Sequence, residues 1–169
     1  MRIALRHVIV LVGALASSGC ALAPPVGRAP PLHISAVADR GDGVRRASQR
    51  LVLEGLDADA RLDTDRARGL YQRALQVDSG NPFAYLALAR QCVAQNEPEL
   101  ALEYIERAQD LIASENPHPT GVDVHLEGLR GAALTMTGET VSGSELLERA
   151  AQRAPDVWGD GHLDADELR

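Results

Sequence analysis

The 169-residue chain contains no lysine, and all 17 of its basic residues are arginine. That absence removes the Walker A lysine, the Schiff-base lysine and the Ser-Lys dyad as possible chemistry. The patterns H-E-x-x-H, G-x-S-x-G and G-x-G-x-x-G are missing as well. Its histidines, His7, His33, His118, His125 and His162, lack metal-ligand spacing, so the chain reads as non-enzymatic. Cysteine is limited to Cys20 and Cys92. No apolar run approaches the roughly twenty residues that a membrane-spanning helix needs.

The start of the chain is patterned as an export signal. Arg2, Arg6 and His7 precede an apolar run from Val8 to Ala16, which is followed by Ser17-Ser18-Gly19-Cys20. A short apolar run behind a basic start is a signal peptide rather than an anchor helix. The ending resembles a bacterial lipobox, with Ser17 where leucine is more usual. The resemblance implies cleavage after residue 19 and acylation of Cys20, which becomes the mature N-terminus. Several acyl chains anchor firmly where one would not. Ala21 stands where an aspartate retains such proteins at the inner membrane, so the expected location is the bacterial outer membrane, periplasmic face. With Cys20 acylated, Cys92 has no partner for a disulfide and is expected as a buried small hydrophobe.

Residues 20–47 carry Pro24, Pro25, Pro30 and Pro31 without amphipathic period and read as a tether. Removing residues 1–19 takes away Arg2 and Arg6 but no acid, leaving 15 basic against 24 acidic residues, a net −9. Such a surface disfavours nucleic acid and anionic lipid as partners.

The body of the chain repeats. Ala67, Tyr71 and Ala74 return 34 residues later as Ala101, Ile105 and Ala108, in the same small, large, small order. The stretch Pro82 to Glu115 also offers Tyr85, Leu88, Ala89 and Cys92 on a first helix, with Asn96-Glu97-Pro98 at the turn. This period and order resemble the tetratricopeptide repeat, W-x2-L-G-x2-Y followed by A-x3-F and a proline. Copies are expected at about 48–81, 82–115 and 124–157. The third, with Gly131, Leu134, Gly143, Leu147, Ala150 and Pro155, is offset by an eight-residue loop from Asn116 to Asp123, and Glu127 and Arg130 replace large apolar positions. The expected fold is therefore all-α, a short array of three helix-turn-helix repeats.

In that family, helix pairs stack so that the first helix of each pair lines a concave groove for a segment of another protein. Carried onto this chain, the resemblance implies a groove of Gln49, Val52, Leu53 and Leu56, then Phe83, Leu86, Arg90 and Val93, then His125, Leu129, Ala132 and Met136. The set is apolar with one arginine, which suits an amphipathic or apolar segment. The tether or a neighbouring copy could equally cover it. The implied function is a lipid-anchored adaptor for another envelope protein, assisting assembly of an envelope complex; an accessory subunit of an envelope enzyme is an alternative.

The tail, residues 156–169, resembles the calcium loop of EF-hands, D-x-[DN]-x-[DN]-G-x5-E. Asp156, Asp160, Asp164 and Glu167 would supply carboxylates and His162 a carbonyl, making calcium the one cofactor expected and a calcium-responsive module a further alternative. Trp158 occupies a ligand position without an oxygen to give. The other reading is an acidic tail whose Trp158 and Leu163 cover the last helix pair.

Overall fold

The structure, a computed structural model, describes residues 30–169. The signal segment, Cys20 and the first part of the tether lie outside the described residues. Eight α-helices follow a single 3-10 turn (Ile34–Ala36) among those residues: α1 (Gly43–Ala60), α2 (Thr64–Val77), α3 (Pro82–Ala94), α4 (Pro98–Ser114), α5 (Val122–Thr137), α6 (Thr140–Arg153), α7 (Pro155–Trp158) and α8 (Ala165–Leu168). The fold is all-α.

Local chemistry sets the helix starts. The Asp42 carboxylate accepts from Arg45 N at 2.8 Å and caps α1, and the Asn81 amide oxygen accepts from Phe83 N at 3.0 Å and caps α3. Pro82, Pro98 and Pro155 open α3, α4 and α7, where a missing N–H costs nothing. The turns at 61–63, 95–97 and 138–139 are too short for anything but antiparallel neighbours, so the helices pair as α1/α2, α3/α4 and α5/α6.

Successive pairs then stack. Helices α1, α3 and α5 pack side by side as an inner layer, while α2 and α4 each pack across to the next pair's first helix. The repeated positions lie between the layers: Ala67, Tyr71, Ala74, Ala101, Ile105 and Ala108 are all fully buried, as is Ala150. The small residues let paired helices approach and the large ones fill the space between pairs. Cys92 is buried and free, and burial pushes its thiol up to about 12.

Three boundaries differ from those expected. Helix α1 begins at Gly43, not Ser48, and residues 30–42 are not a tether: Leu32, Ile34 and Val37 are 6%, 0% and 3% exposed and belong to the central core. Their apolar side chains outweigh the neighbouring prolines, which only keep the segment extended. The loop before the third pair closes two residues earlier than expected, since Val122 and Asp123 already lie in α5. The polar substitutions in the third pair are used, because Glu127 accepts from Arg149 at 2.7 Å and Arg153 at 2.9 Å on α6, and Arg130 donates to Gln109 on α4 at 2.8 Å. No helix among the described residues is long and apolar enough to cross a membrane.

In the third pair, glycine replaces alanine where α5 crosses α6. A Cβ on Gly143 would stand 2.3 Å from Thr135 Oγ1 and 2.7 Å from Gly131 O. Gly143→Ala is therefore expected to destabilise by about 1–3 kcal/mol through overpacking. Gly69→Ala on α2, where a Cβ meets nothing within 4 Å, should be neutral or stabilising. Thermal melting of the two variants checks this, and equal shifts would contradict the close crossing.

Candidate functional site

The inner layer of α1, α3 and α5 presents one apolar face, and two segments of the same chain fill it. The first is the strap, residues 30–42. Its Leu32 N donates to Gly121 O at 3.2 Å, and its Leu32 carbonyl lies 2.9 Å from His125 Nε2 on α5. Further along, the Gln49 amide of α1 donates to Ala38 O at 2.7 Å and Arg40 O at 3.2 Å when the amide is oriented as its neighbours require. The strap thus runs from α5 to α1.

The second segment is the tail, residues 155–169. Trp158 is 1% exposed and lies flat against α5 because residue 128 is glycine; a Cβ there would stand 2.5 Å from the indole ring. The tail then turns through 159–163 and seats α8 on α1 and α3. Leu168 is fully buried, and Arg169 pairs with Asp57 of α1. Strap and tail meet where Ser35 N donates to Arg169 O at 2.8 Å.

The groove residues named from the sequence are therefore mostly covered. Val52, Leu56, Phe83, Leu86, His125 and Leu129 are at most 1% exposed, Gln49 and Arg90 are buried, and Leu53, Val93 and Ala132 are half-buried. Met136 alone among them is exposed, at 37%. The strap and tail residues Leu32, Ile34, Ser35 and Leu168 were not assigned to this face from the sequence. The signal for the strap was the apolar spacing at 32, 34 and 37, masked by the prolines that precede it.

Two buried polar groups set the electrostatics of the face. Arg90 of α3 forms an ion pair with Asp59 of α1, and Tyr71 OH of α2 donates to the same carboxylate at 3.3 Å, so three helices share one charge pair. Burial, with the Asp59 charge beside it, pushes the Tyr71 phenol well above its usual range. His125 is bonded through Nε2 to a carbonyl, so that nitrogen carries the proton and Nδ1 is bare, with no partner among the described residues. Burial pulls its pKa down to about 4.

The expected calcium ligands are not brought together. Asp160 Oδ1 accepts from His162 N at 2.9 Å, and Asp164 and Glu167 bond each other's backbone as the capping box of α8, with Glu167 Oε2 accepting from Asp164 N at 2.8 Å. Asp156 lies in the first turn of α7, the helix that ends on the buried Trp158. Among the described residues no three His, Cys, Asp or Glu side chains are placed to hold a metal ion. The reason is physical: Trp158 is drawn into the core, and the carboxylates that would close the loop are spent on the helix cap.

A separate cavity of about 450 Å³ opens where three loops meet, lined in part by Val37, Arg40, Val44, Phe83 and Pro117. Arg45 spans its side, donating to Glu115 at 2.5 Å and Gly80 O at 3.0 Å and pairing with Asp78. These bonds tie the start of α1 to the loops that follow α2 and α4.

The lowered pKa of His125 makes the seated strap pH-sensitive. Above pH 6.5 both folded and unfolded chains hold the imidazole neutral, and the group contributes nothing. As pH falls from 6.5 to about 4, the unfolded chain takes up a proton that the folded chain refuses, so stability is lost across that window, by about 3 kcal/mol in all. Denaturant melts at pH 7 and 5 are expected to differ for the native chain and to differ less for His125→Asn. Identical pH slopes in the two would contradict the buried neutral imidazole.

The chain matches no protein-family model, and no curated protein or solved structure is significantly similar to it.

Proposed function

We propose that the protein is a non-catalytic adaptor of the tetratricopeptide type, anchored by acylated Cys20 at the periplasmic face of a bacterial outer membrane, where it holds a segment of another envelope protein during assembly of a complex. The observation that carries the reading is that the inner face of α1, α3 and α5 already binds two short segments, the strap and the tail, through apolar side chains and backbone carbonyls. A face that seats segments of its own chain has the chemistry to seat one from a partner. The buried small, large, small spacing of 34 residues supports the family, and the lipobox-like Ser17-Ser18-Gly19-Cys20 supports the anchor. The net −9 of the processed chain favours a protein partner over nucleic acid.

Two measurements test this. In cells, the native chain is expected to incorporate a palmitate analogue and to sediment with outer membranes, and Cys20→Ser to lose both; unlabelled, soluble native chain would overturn the anchor. A photo-cross-linker placed at Met136, the open inner position, is expected to give a discrete adduct with one envelope protein, and the same group at Arg73 on the exposed side of α2 to give none. Adducts at Arg73 without any at Met136 would overturn the inner-face reading. Substitutions at Phe83 or Leu86 are unsuitable for this purpose, since both are core side chains whose truncation costs about 2–5 kcal/mol.

A further inference from the structure

Helix α8 is a single turn of four residues, which is too short to be stable by itself. It holds its place through what it packs on. Leu168 is fully buried against the inner layer, with Leu163 and Ala165 each 6% exposed. Its polar links to the body are few: Ser35 N donates to Arg169 O at 2.8 Å, and the Arg169 guanidinium pairs with Asp57 where both side chains are about as open as surface residues, at 48% and 36%.

The segment that connects α8 to the rest is built to bend. Gly159, Asp160 and His162 are exposed, and Gly161 lies at φ 81, a backbone region that favours glycine. Trp158, on the other side of this segment, packs against Gly128 of α5 rather than on α8. The turn therefore can leave while the rest of the tail remains.

The slot under α8 has a readable chemistry. It takes one aliphatic side chain at the Leu168 position, a backbone carbonyl opposite Ser35 N and a cation opposite Asp57. Glu54 stands one turn before Asp57 on α1 and is exposed, which adds a second negative charge at the same edge. An acidic edge beside an apolar slot selects a basic residue next to an aliphatic one.

We propose that α8 is a displaceable plug, and that the slot it fills is the docking site for a short helical turn of a partner protein in which a leucine-like residue is followed directly by arginine or lysine. The proposal rests on the adaptor reading and names the partner's chemistry. The partner's aliphatic side chain replaces Leu168 and its cation replaces Arg169 on Asp57. Unseating the plug exposes Leu168 and breaks the Ser35 and Asp57 links, and a partner turn that supplies the same groups offsets that loss.

The test uses a dye-labelled peptide of residues 162–169 and the full chain. Leu168→Asp opens the slot, and this variant is expected to bind the peptide about tenfold more tightly than the native chain, whose own plug competes. A peptide carrying Arg169→Glu is expected to bind the opened chain about tenfold more weakly, and Asp57→Arg in the chain to restore it. Leu168→Ala replaces Leu168→Asp should the latter fail to fold by circular dichroism. Equal binding to native and opened chains, indifference to the charge exchange, or native chains that pair by trading α8 with a second copy would each overturn the proposal. Peptide binding in a chain that cross-links to no envelope protein would leave the slot and remove the adaptor, and cross-links at Met136 without peptide binding would do the reverse.

Discussion

Residue 128 has no side chain, and the closure of the inner face depends on it. The indole of Trp158 occupies the volume that a Cβ would need, 2.5 Å away, and so the tail crosses α5 in contact rather than at a distance. From that fixed point the chain carries Leu163 and Leu168 back over α3 and α1, where the strap meets it. Helices α1, α3 and α5 direct a row of large apolar side chains at this face, which would be exposed without cover. Val52, Leu56, Leu86 and Leu129 gain about 1.5–3 kcal/mol each by being dry, and strap and tail belong to the same continuous core. Closure by the chain itself is thus a requirement of the fold, and a partner that uses this face must exchange with part of it.

Polar contacts fix how the pairs stack. Ser48 donates to Ala74 O at 2.8 Å and accepts from Asn81 Nδ2 at 2.8 Å, which ties α1, α2 and the cap of α3 at one end. At the other, Arg68 of α2 reaches Gln91 of α3 at 3.2 Å and Glu97 at 2.7 Å. Beside the latter, at the C-terminal ends of α1 and α3, lies the buried pair of Arg90 and Asp59. Apolar packing alone would allow neighbouring pairs to slide by a turn, whereas a buried charge with one partner permits a single register, because breaking it leaves an uncompensated ion in the core.

The helix pairs were legible because the 34-residue spacing records a steric rule: small residues where helices cross, large ones between pairs. The same rule located the third pair through Gly131, Gly143 and Ala150 despite the intervening loop. The inner face was legible as a set of residues, and cover by the tether was one reading left open, but the strap residues that cover it were not. Nothing at Gln49 or His125 signals that each bonds a strap carbonyl, because a backbone carbonyl belongs to any residue and leaves no mark in sequence. The tail offered two readings, a calcium loop and a cover for the last helix pair, and Trp158 and Leu163 are buried as the second has them. Aspartates spaced like a calcium loop serve equally as turn and cap residues, and the decision lay with Trp158, whose burial depends on Gly128 thirty positions earlier.

Closure of the inner face by strap and tail makes a direct demand on two backbone amides. Leu32 N and Ser35 N lie in a segment without regular secondary structure beyond a single turn, and they donate to Gly121 O and Arg169 O. Residue-resolved hydrogen exchange is expected to show both amides protected, Leu32 close to the level of the α5 core and Ser35 at a lower level set by opening of α8. Exchange of both at the rate of a free peptide would contradict the closed face.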